Sequence, residues 1–211
     1  MDDIIRRFFM GYKGKYEEWL KGKDFDQSTK AELEKIKNDE KEIEDRFYKD
    51  LHFGTGGMRG IMGAGTNRMN KYTVGRAIKG LANFILKKEK ENPSVVIAHD
   101  SRYLSRDFSE LAAKILCNEG IKVFLFEDLR PTPELSFAVR EKKATSGLVF
   151  TASHNTAEYN GFKVYWKDGA QVVSTIADEL MEEINKVKDF SMIKDVVNQD
   201  IKNYPNLYTL G

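Results

Sequence analysis

The chain reads as an α/β protein: a three-layer α/β/α sandwich around a mostly parallel, mixed sheet, preceded by a helical N-terminal arm. Three observations lead there. From about residue 70 onward short apolar runs alternate with stretches of helical periodicity, the pattern of βαβ units whose crossovers cover both faces of a sheet. The first 50 residues instead carry dense charge with a narrow apolar stripe. The 211 residues, 41% hydrophobic with 13 Phe and 9 Tyr, exceed one typical domain and can bury most of their surface without a covalent staple. The expected division is an arm over 1–50, an α/β domain over 51–190 and a linker over 191–211.

In order along the chain, Trp19, Leu20, Leu33, Ile36, Ile43 and Phe47 recur at helical spacing in the arm. Thr29 with Glu32 three residues later predicts a capping box at a helix start. Phe53-Gly54-Thr55-Gly56-Gly57-Met58-Arg59-Gly60, with Gly63 and Gly65 beyond, predicts a sharply bent loop. Val74, Ala77, Ile78, Leu81 and Ile85 then mark a helix whose C-terminal end carries Lys87 and Lys88, where cations suit the helix dipole. Val95–Ala98 reads as a buried strand, Phe108 to Leu116 as an amphipathic helix that Gly120 ends, and Ile121–Phe126 as the next strand. Pro131-Thr132-Pro133 opens a short helix, and Gly147–Thr151 is a strand running into Ser153-His154-Asn155. A loop turning at Asn160-Gly161 leads to a returning strand, Phe162–Trp166. Ile176, Leu180, Ile184 and Val187 mark a later helix, and the pattern weakens after Phe190. No fixed-period repeat or low-complexity tract is present.

Composition excludes several classes. With 34 basic against 33 acidic residues, the net charge near +1 gives no global field for nucleic acid or an acidic membrane, so any anion site must be local. A mean hydropathy of −0.53, no run of 18 apolar residues and the unbasic start Met1-Asp2-Asp3 lead to the expectation of a soluble protein. The single Cys117 excludes an intramolecular disulfide, no Cys/His cluster offers a zinc site, and a reducing cytoplasm is expected.

Chemistry is expected in three places. The glycine-rich stretch lets backbone N–H groups converge on an anion, with Arg59 as a bidentate clamp; it lacks the Gly-Lys-Ser/Thr of a Walker loop, and Arg59 stands where a dinucleotide loop needs its last glycine. Thr151-Ala152-Ser153-His154-Asn155 follows a strand end, where α/β folds place reacting groups, and makes Ser153 a candidate nucleophile or phosphate carrier. A hydrolase triad is disfavoured because no Gly-x-Ser-x-Gly elbow surrounds Ser153, and neighbouring strand side chains would send His154 to the opposite face. His154 is then an orienting residue. The returning strand brings Lys163 back toward Ser153, where an ammonium could neutralise a phosphoryl group or an amine take a hydroxyl proton. Asp100-Ser101-Arg102 follows another strand end, and is read as support for the serine loop ahead of a helix cap.

These stretches, with Tyr159-Asn160-Gly161-Phe162-Lys163-Val164-Tyr165, occur in the order seen in α-D-phosphohexomutases, and the chain resembles the N-terminal domain of a phosphoglucomutase/phosphomannomutase. Thr66-Asn67-Arg68-Met69-Asn70 and Trp166-Lys167-Asp168-Gly169-Ala170-Gln171 resemble the bacterial branch that has a helical N-terminal extension. The resemblance implies an isomerase that interconverts hexose 1-phosphate and hexose 6-phosphate through a hexose 1,6-bisphosphate, which also serves as activator. By it Ser153 is the phosphoserine and, through its phosphoryl oxygen, a Mg²⁺ ligand; Lys163 is the general acid/base and His154 a substrate or proton-transfer contact. Thr55, Gly56, Arg59, Thr151, Asn155, Asp100 and Arg102 bind phosphate or position the loop.

Two departures from the family pattern stand out. Thr156 replaces the usual Pro after Ser-His-Asn, which should leave the loop less preorganised. The family's Asp-Gly-Asp metal loop, Gly-Glu-Glu sugar loop and Ser-Gly-Thr phosphate loop are not in these 211 residues. The expectation is therefore an N-terminal fragment, inactive alone, with the other Mg²⁺ ligands in a missing second domain. Its expected partners are a phosphohexose and the remaining domains of its parent chain, with neither nucleic acid nor membrane, and the exposed inter-domain face offers the isolated domain a surface for a homodimer. The alternative is a stand-alone phosphosugar-binding module without catalysis. Glucose is not separable from mannose, although the branch leans to glucose.

Overall fold

The computed structural model describes residues 11–54 and 56–211; the first ten residues of the arm and Thr55 lie outside them. Among the described residues three helices form the arm: α1 (Tyr12–Lys21), α2 (Gln27–Lys35) and α3 (Glu40–Phe47). The domain follows as β1 (Phe53–Gly54), β2 (Gly57–Ile61), α4 (Lys71–Lys88), β3 (Ser94–His99), α5 (Ser105–Asn118), β4 (Lys122–Phe126), α6 (Thr132–Glu141), β5 (Ser146–Phe150), β6 (Tyr159–Trp166) and α7 (Ser174–Lys186). It closes with α8 (Ser191–Val197), a 3₁₀ turn (Ile201–Asn203) and β7 (Leu207–Leu210).

The strands form one sheet in the order β1-β2-β6-β5-β3-β4-β7. β5, β3, β4 and β7 run parallel, whereas β6 is antiparallel to both β5 and β2, and β2 to β1. β3, Ser-Val-Val-Ile-Ala-His, is buried along its whole length because a helical layer covers each face. Val95, Ile97, Leu148, Phe150, Phe162 and Val164 face the layer of α4, α5, α7 and α8. Val96, Ala98, Val149 and Tyr165 face α6 through Leu135, Ala138 and Val139. The result is the three-layer α/β/α arrangement.

α4 starts where Asn70 accepts from the amides of Tyr72 and Thr73 at 3.0 Å each, and Thr73 Oγ1 accepts from the Asn70 amide at 3.1 Å, a reciprocal cap. The apolar face expected from Val74 to Ile85 is buried. α5 ends as expected ahead of Gly120, whose φ of +78° is a conformation that favours glycine.

Four expectations are corrected. The glycine-rich stretch bends sharply but is not a loop throughout: β1 pairs with β2, and β2 pairs with β6 along Gly57↔Lys163 to Ile61↔Tyr159. Asn160-Gly161 is not a turn either, because both lie inside β6. Glycine serves there for close approach, since a Cβ on Gly57 would stand 2.3 Å from the Phe162 carbonyl and one on Gly161 2.4 Å from the Met58 carbonyl. The Thr29/Glu32 capping box is absent; Asp26 caps α2 by accepting from the Thr29 amide at 2.8 Å, and Glu32 accepts from the Ala64 amide and from Arg46 instead. Residues 191–211 are not a bare linker, for α8 buries Ile193 and Val196, and β7 adds to the sheet edge along β4.

The arm is fastened to the domain by an aromatic cluster. Trp19 stacks on Phe25 at 4.4 Å and meets Phe47, Tyr72 and Phe190 edge-on at 5.8, 5.4 and 5.8 Å. Arg46 adds a polar tie to Glu32, to Glu42 and to the Ala64 carbonyl. Truncating Trp19→Ala leaves a large cavity and should cost about 3–5 kcal/mol of unfolding free energy by urea denaturation; a loss under about 1 kcal/mol would show that the cluster does not hold the arm. Burial pushes the Cys117 thiol up to about 12, so iodoacetamide at pH 8 should alkylate it in urea and leave it untouched in the native protein.

Candidate functional site

The serine loop leaves the end of β5 and returns into β6, and its shape is set by side chains from neighbouring strand ends. Thr151 opens it: the Ser153 amide donates to Thr151 Oγ1 at 3.0 Å. Ser153 then takes φ +57°, a left-handed conformation that costs a non-glycine residue about 1 kcal/mol or more, and is exposed to solvent. This turn, not a strand, carries His154, so the alternation expected of neighbours fails: Ser153 Oγ lies 3.3 Å from His154 Nδ1. The Asn155 amide closes the turn on the Ala152 carbonyl at 3.1 Å.

Arg102 holds the loop from outside. Its guanidinium donates to the carbonyls of Ser153 at 2.9 Å, Asn155 at 2.5 Å, Thr156 at 2.9 Å and Tyr159 at 3.1 Å. Asp100 aims it, accepting from the Arg102 amide at 3.0 Å and lying 3.7 Å from Arg102 Nε, while also accepting from Ser105 Oγ at 2.8 Å. Asp100 and Arg102 thus support the loop, and the helix that follows takes no side-chain cap from them. The Thr156 carbonyl is one of the four anchors, so the guanidinium fixes the chain where proline would restrict it. The Thr156 side chain bonds Glu158 and holds that carboxyl below its usual range.

Arg59, on β2, reaches across to Asn155, donating from Nη1 to Oδ1 at 2.7 Å. Lys163 sits on β6 opposite both Gly57 and Val149. Because Phe162 and Val164 enter the main core, Lys163 projects to the other side of the sheet, the side of Arg59 and Thr151. These three, with His52 and Gln171, line a cleft of 330 Å³. Gly56 has φ +81°, and a Cβ there would stand within 2.3 Å of Gln171 Nε2; its carbonyl accepts from the Val164 amide at 2.9 Å. Neither Arg59 nor Lys163 forms an ion pair with a carboxylate among the described residues, so the cleft is cationic and suits a phosphate dianion.

Several residues were missed by sequence reasoning. Asn160, fully buried, donates from Nδ2 to the Tyr103 carbonyl at 2.8 Å and to Ser105 Oγ at 3.1 Å, and accepts from the Gly161 amide at 2.7 Å. It ties β6 to the Arg102 segment, and the signal for a turn in Asn-Gly hid that role. His52 and Gln171 carry no motif of their own. As for Mg²⁺, among the described residues no three His, Cys, Asp or Glu side chains converge. The Asp100 carboxylate is occupied by Arg102 and Ser105. These residues do not make a metal site; Ser153 could supply one oxygen ligand.

The α/β/α domain thus presents a pinned, exposed serine at a strand end, beside a cationic cleft. The chain belongs to the phosphoglucomutase/phosphomannomutase family, whose alpha/beta/alpha domain I matches residues 50–190. The phosphoglucomutase of Staphylococcus haemolyticus (strain JCSC1435) is 42% identical over 158 residues, which cover 75% of this chain and 29% of that protein. That of Staphylococcus aureus (strain MRSA252) is 43% identical over 166 residues, 77% of this chain and 30% of that protein. A phosphoglucomutase/phosphomannomutase family protein from Burkholderia thailandensis superposes with a TM-score of 0.51 at 27% identity, covering 63% of this chain and 29% of that one. The chain therefore spans 29–30% of the length of these curated relatives.

If Arg102 sets the loop, Arg102→Lys, which keeps the charge but loses the planar fork, should speed amide exchange at Ser153 and Asn155 about tenfold or more, with the β3 amides unchanged. Equal exchange in both proteins would remove Arg102 from that role.

Proposed function

We propose that this chain is the phosphoserine-bearing first domain of a mutase that interconverts hexose 1-phosphate and hexose 6-phosphate through a hexose 1,6-bisphosphate. The observation that carries the reading is the exposed Ser153, on a loop pinned through four carbonyls, next to a cationic cleft holding Lys163 and Arg59. Family membership supports it. The helical arm and the α/β/α domain, with β7 at its sheet edge, would be followed by further domains that supply sugar recognition, and the chain alone would not turn over. It would work in the reducing cytoplasm, where the buried Cys117 stays a thiol.

In this reading Ser153 Oγ carries a phosphoryl group. A hydroxyl of the hexose monophosphate attacks the phosphorus, the new P–O bond forms as the Ser153 Oγ–P bond breaks, and the hydroxyl proton passes to the Lys163 amine. In the second half the bisphosphate returns its other phosphoryl group to Ser153 Oγ, and Lys163 gives a proton to the sugar oxygen released. Arg59 offsets the negative charge of the two phosphates, while Thr151, Asn155, Asp100 and Arg102 keep Ser153 in line. His154, 3.3 Å from the serine oxygen, would contact the substrate or the moving proton. Mg²⁺ on a phosphoserine oxygen, with its other ligands from a following domain, would supply charge neutralisation.

The test uses the full-length protein that carries this domain. Ser153→Ala should abolish phosphopeptide formation after incubation with hexose 1,6-bisphosphate and lower mutase kcat at least about a thousandfold. Lys163→Met should lower kcat by about 10²–10⁴ while Ser153 still becomes phosphorylated. Full activity of Ser153→Ala would refute the proposal, and saturable sugar-phosphate binding without turnover in either protein would make the chain a binding module.

A further inference from the structure

The cleft at Ser153 does not stop at Arg59. Arg59 and His52 line both it and a second groove of 260 Å³ between β2 and the end of the arm, whose wall also includes Asp45, Lys49, Arg68 and Tyr159. The segment bearing Lys49 and His52 is fixed in place. Thr66 Oγ1 donates to the Lys49 carbonyl at 2.7 Å and the Leu51 amide to the Thr66 carbonyl at 2.7 Å. Leu51 also fills the space over Gly60, where a Cβ would come within 2.8 Å of its Cδ1.

Charge on this wall is unbalanced. Asp45 is its acid, and that carboxylate is taken by the buried Arg68 at 2.5 Å, with Glu42 a further 3.7 Å partner of the same guanidinium. Lys49 is exposed, its ammonium 4.9 Å from the Tyr48 ring centre, and it pairs with no carboxylate among the described residues. Arg59 spends one guanidinium nitrogen on Asn155. His52 is exposed beside them. Lys49, His52 and Arg59 thus line one groove whose single lining carboxylate, Asp45, is already paired with Arg68.

We propose that this groove is a phosphate-binding subsite made by Lys49, His52 and Arg59, the first two contributed by the arm and its junction with the domain. A Lys, an Arg and an imidazole lining one groove match the acceptor oxygens and charge of a phosphate dianion. Since Arg59 borders both grooves, a doubly phosphorylated hexose can occupy them together; inorganic phosphate can occupy the outer one alone. The bridging form rests on the phosphoserine reading above, whereas the subsite does not.

The chain has three histidines, His52 in the groove, His154 beside Ser153 and the buried His99, so their ring resonances give three separate reporters. The 211-residue chain is titrated with inorganic phosphate and, separately, with hexose 1,6-bisphosphate, against chloride at equal ionic strength. Phosphate should shift His52 and leave His99 unmoved; Lys49→Gln should weaken that response about tenfold, Lys49→Arg should restore it, and Ser153→Ala should leave it intact. A bridging ligand will move His52 and His154 together at lower concentration than phosphate moves His52; equal potency would assign the groove to free phosphate. A His52 response that matches chloride, or one unchanged by Lys49→Gln, overturns the subsite. Failure of Ser153→Ala to lose mutase activity would overturn the phosphoserine reading without touching this result.

Discussion

Arg102 gathers the carbonyl oxygens of Ser153, Asn155, Thr156 and Tyr159 onto one guanidinium, and the geometry of the serine loop follows from that. A loop holding a left-handed serine has few amide-to-carbonyl bonds of its own, so its oxygens would otherwise turn to water and the chain would sample many shapes. A planar fork with five donors satisfies several oxygens at once, which an ammonium cannot do with the same fixed directions. Asp100 aims the fork from the end of β3, and Asn160 locks the same segment to β6. The serine is presented by three adjacent strands, not by its own loop.

The cationic side of the cleft depends on strand register. Lys163 faces the cleft because Phe162 and Val164 face the core, and one residue of slip in β6 would reverse both. The register is guarded on two sides: β5 pairs along Val149↔Lys163, and β2 approaches closely where Gly57 and Gly161 carry no side chain. The arm contributes from the opposite end, since Glu32, Arg46 and the Trp19 cluster fix the chain on both sides of the β1–β2 hairpin. Asp45 and Lys49 of the arm also line the groove that adjoins the cleft at Arg59.

Much of this was legible in sequence, and what was not has a common cause. Val74 to Ile85, Val95 to Ala98 and Phe108 to Leu116 announce themselves because burial on one face or both leaves a period in the residues. Gly57, Asn160 and Gly161 mislead because a glycine that permits a turn and a glycine that permits two strands to touch are the same letter. Glu32 stands three residues after Thr29 as a cap should, yet its carboxylate finds Arg46 and the Ala64 amide, partners far away in sequence. Residues 191–210 lack a strong period because α8 is short and β7 is a half-buried edge strand.

The sequence by itself determined the α/β class, the helical arm, the central strands and the candidates Ser153, Lys163, Arg59 and Arg102, because propensity, hydrophobic period and short motifs are local properties of the chain. The tertiary structure alone decided that the glycine-rich stretch is a paired strand, that Ser153 and His154 share one side of a turn, and that Arg102 binds four carbonyls. It also decided that Lys49 and His52 come to lie beside Arg59. Those are facts of register and distance between segments up to a hundred residues apart. They are set by which side chains the core accepts, a choice made by packing the whole domain at once.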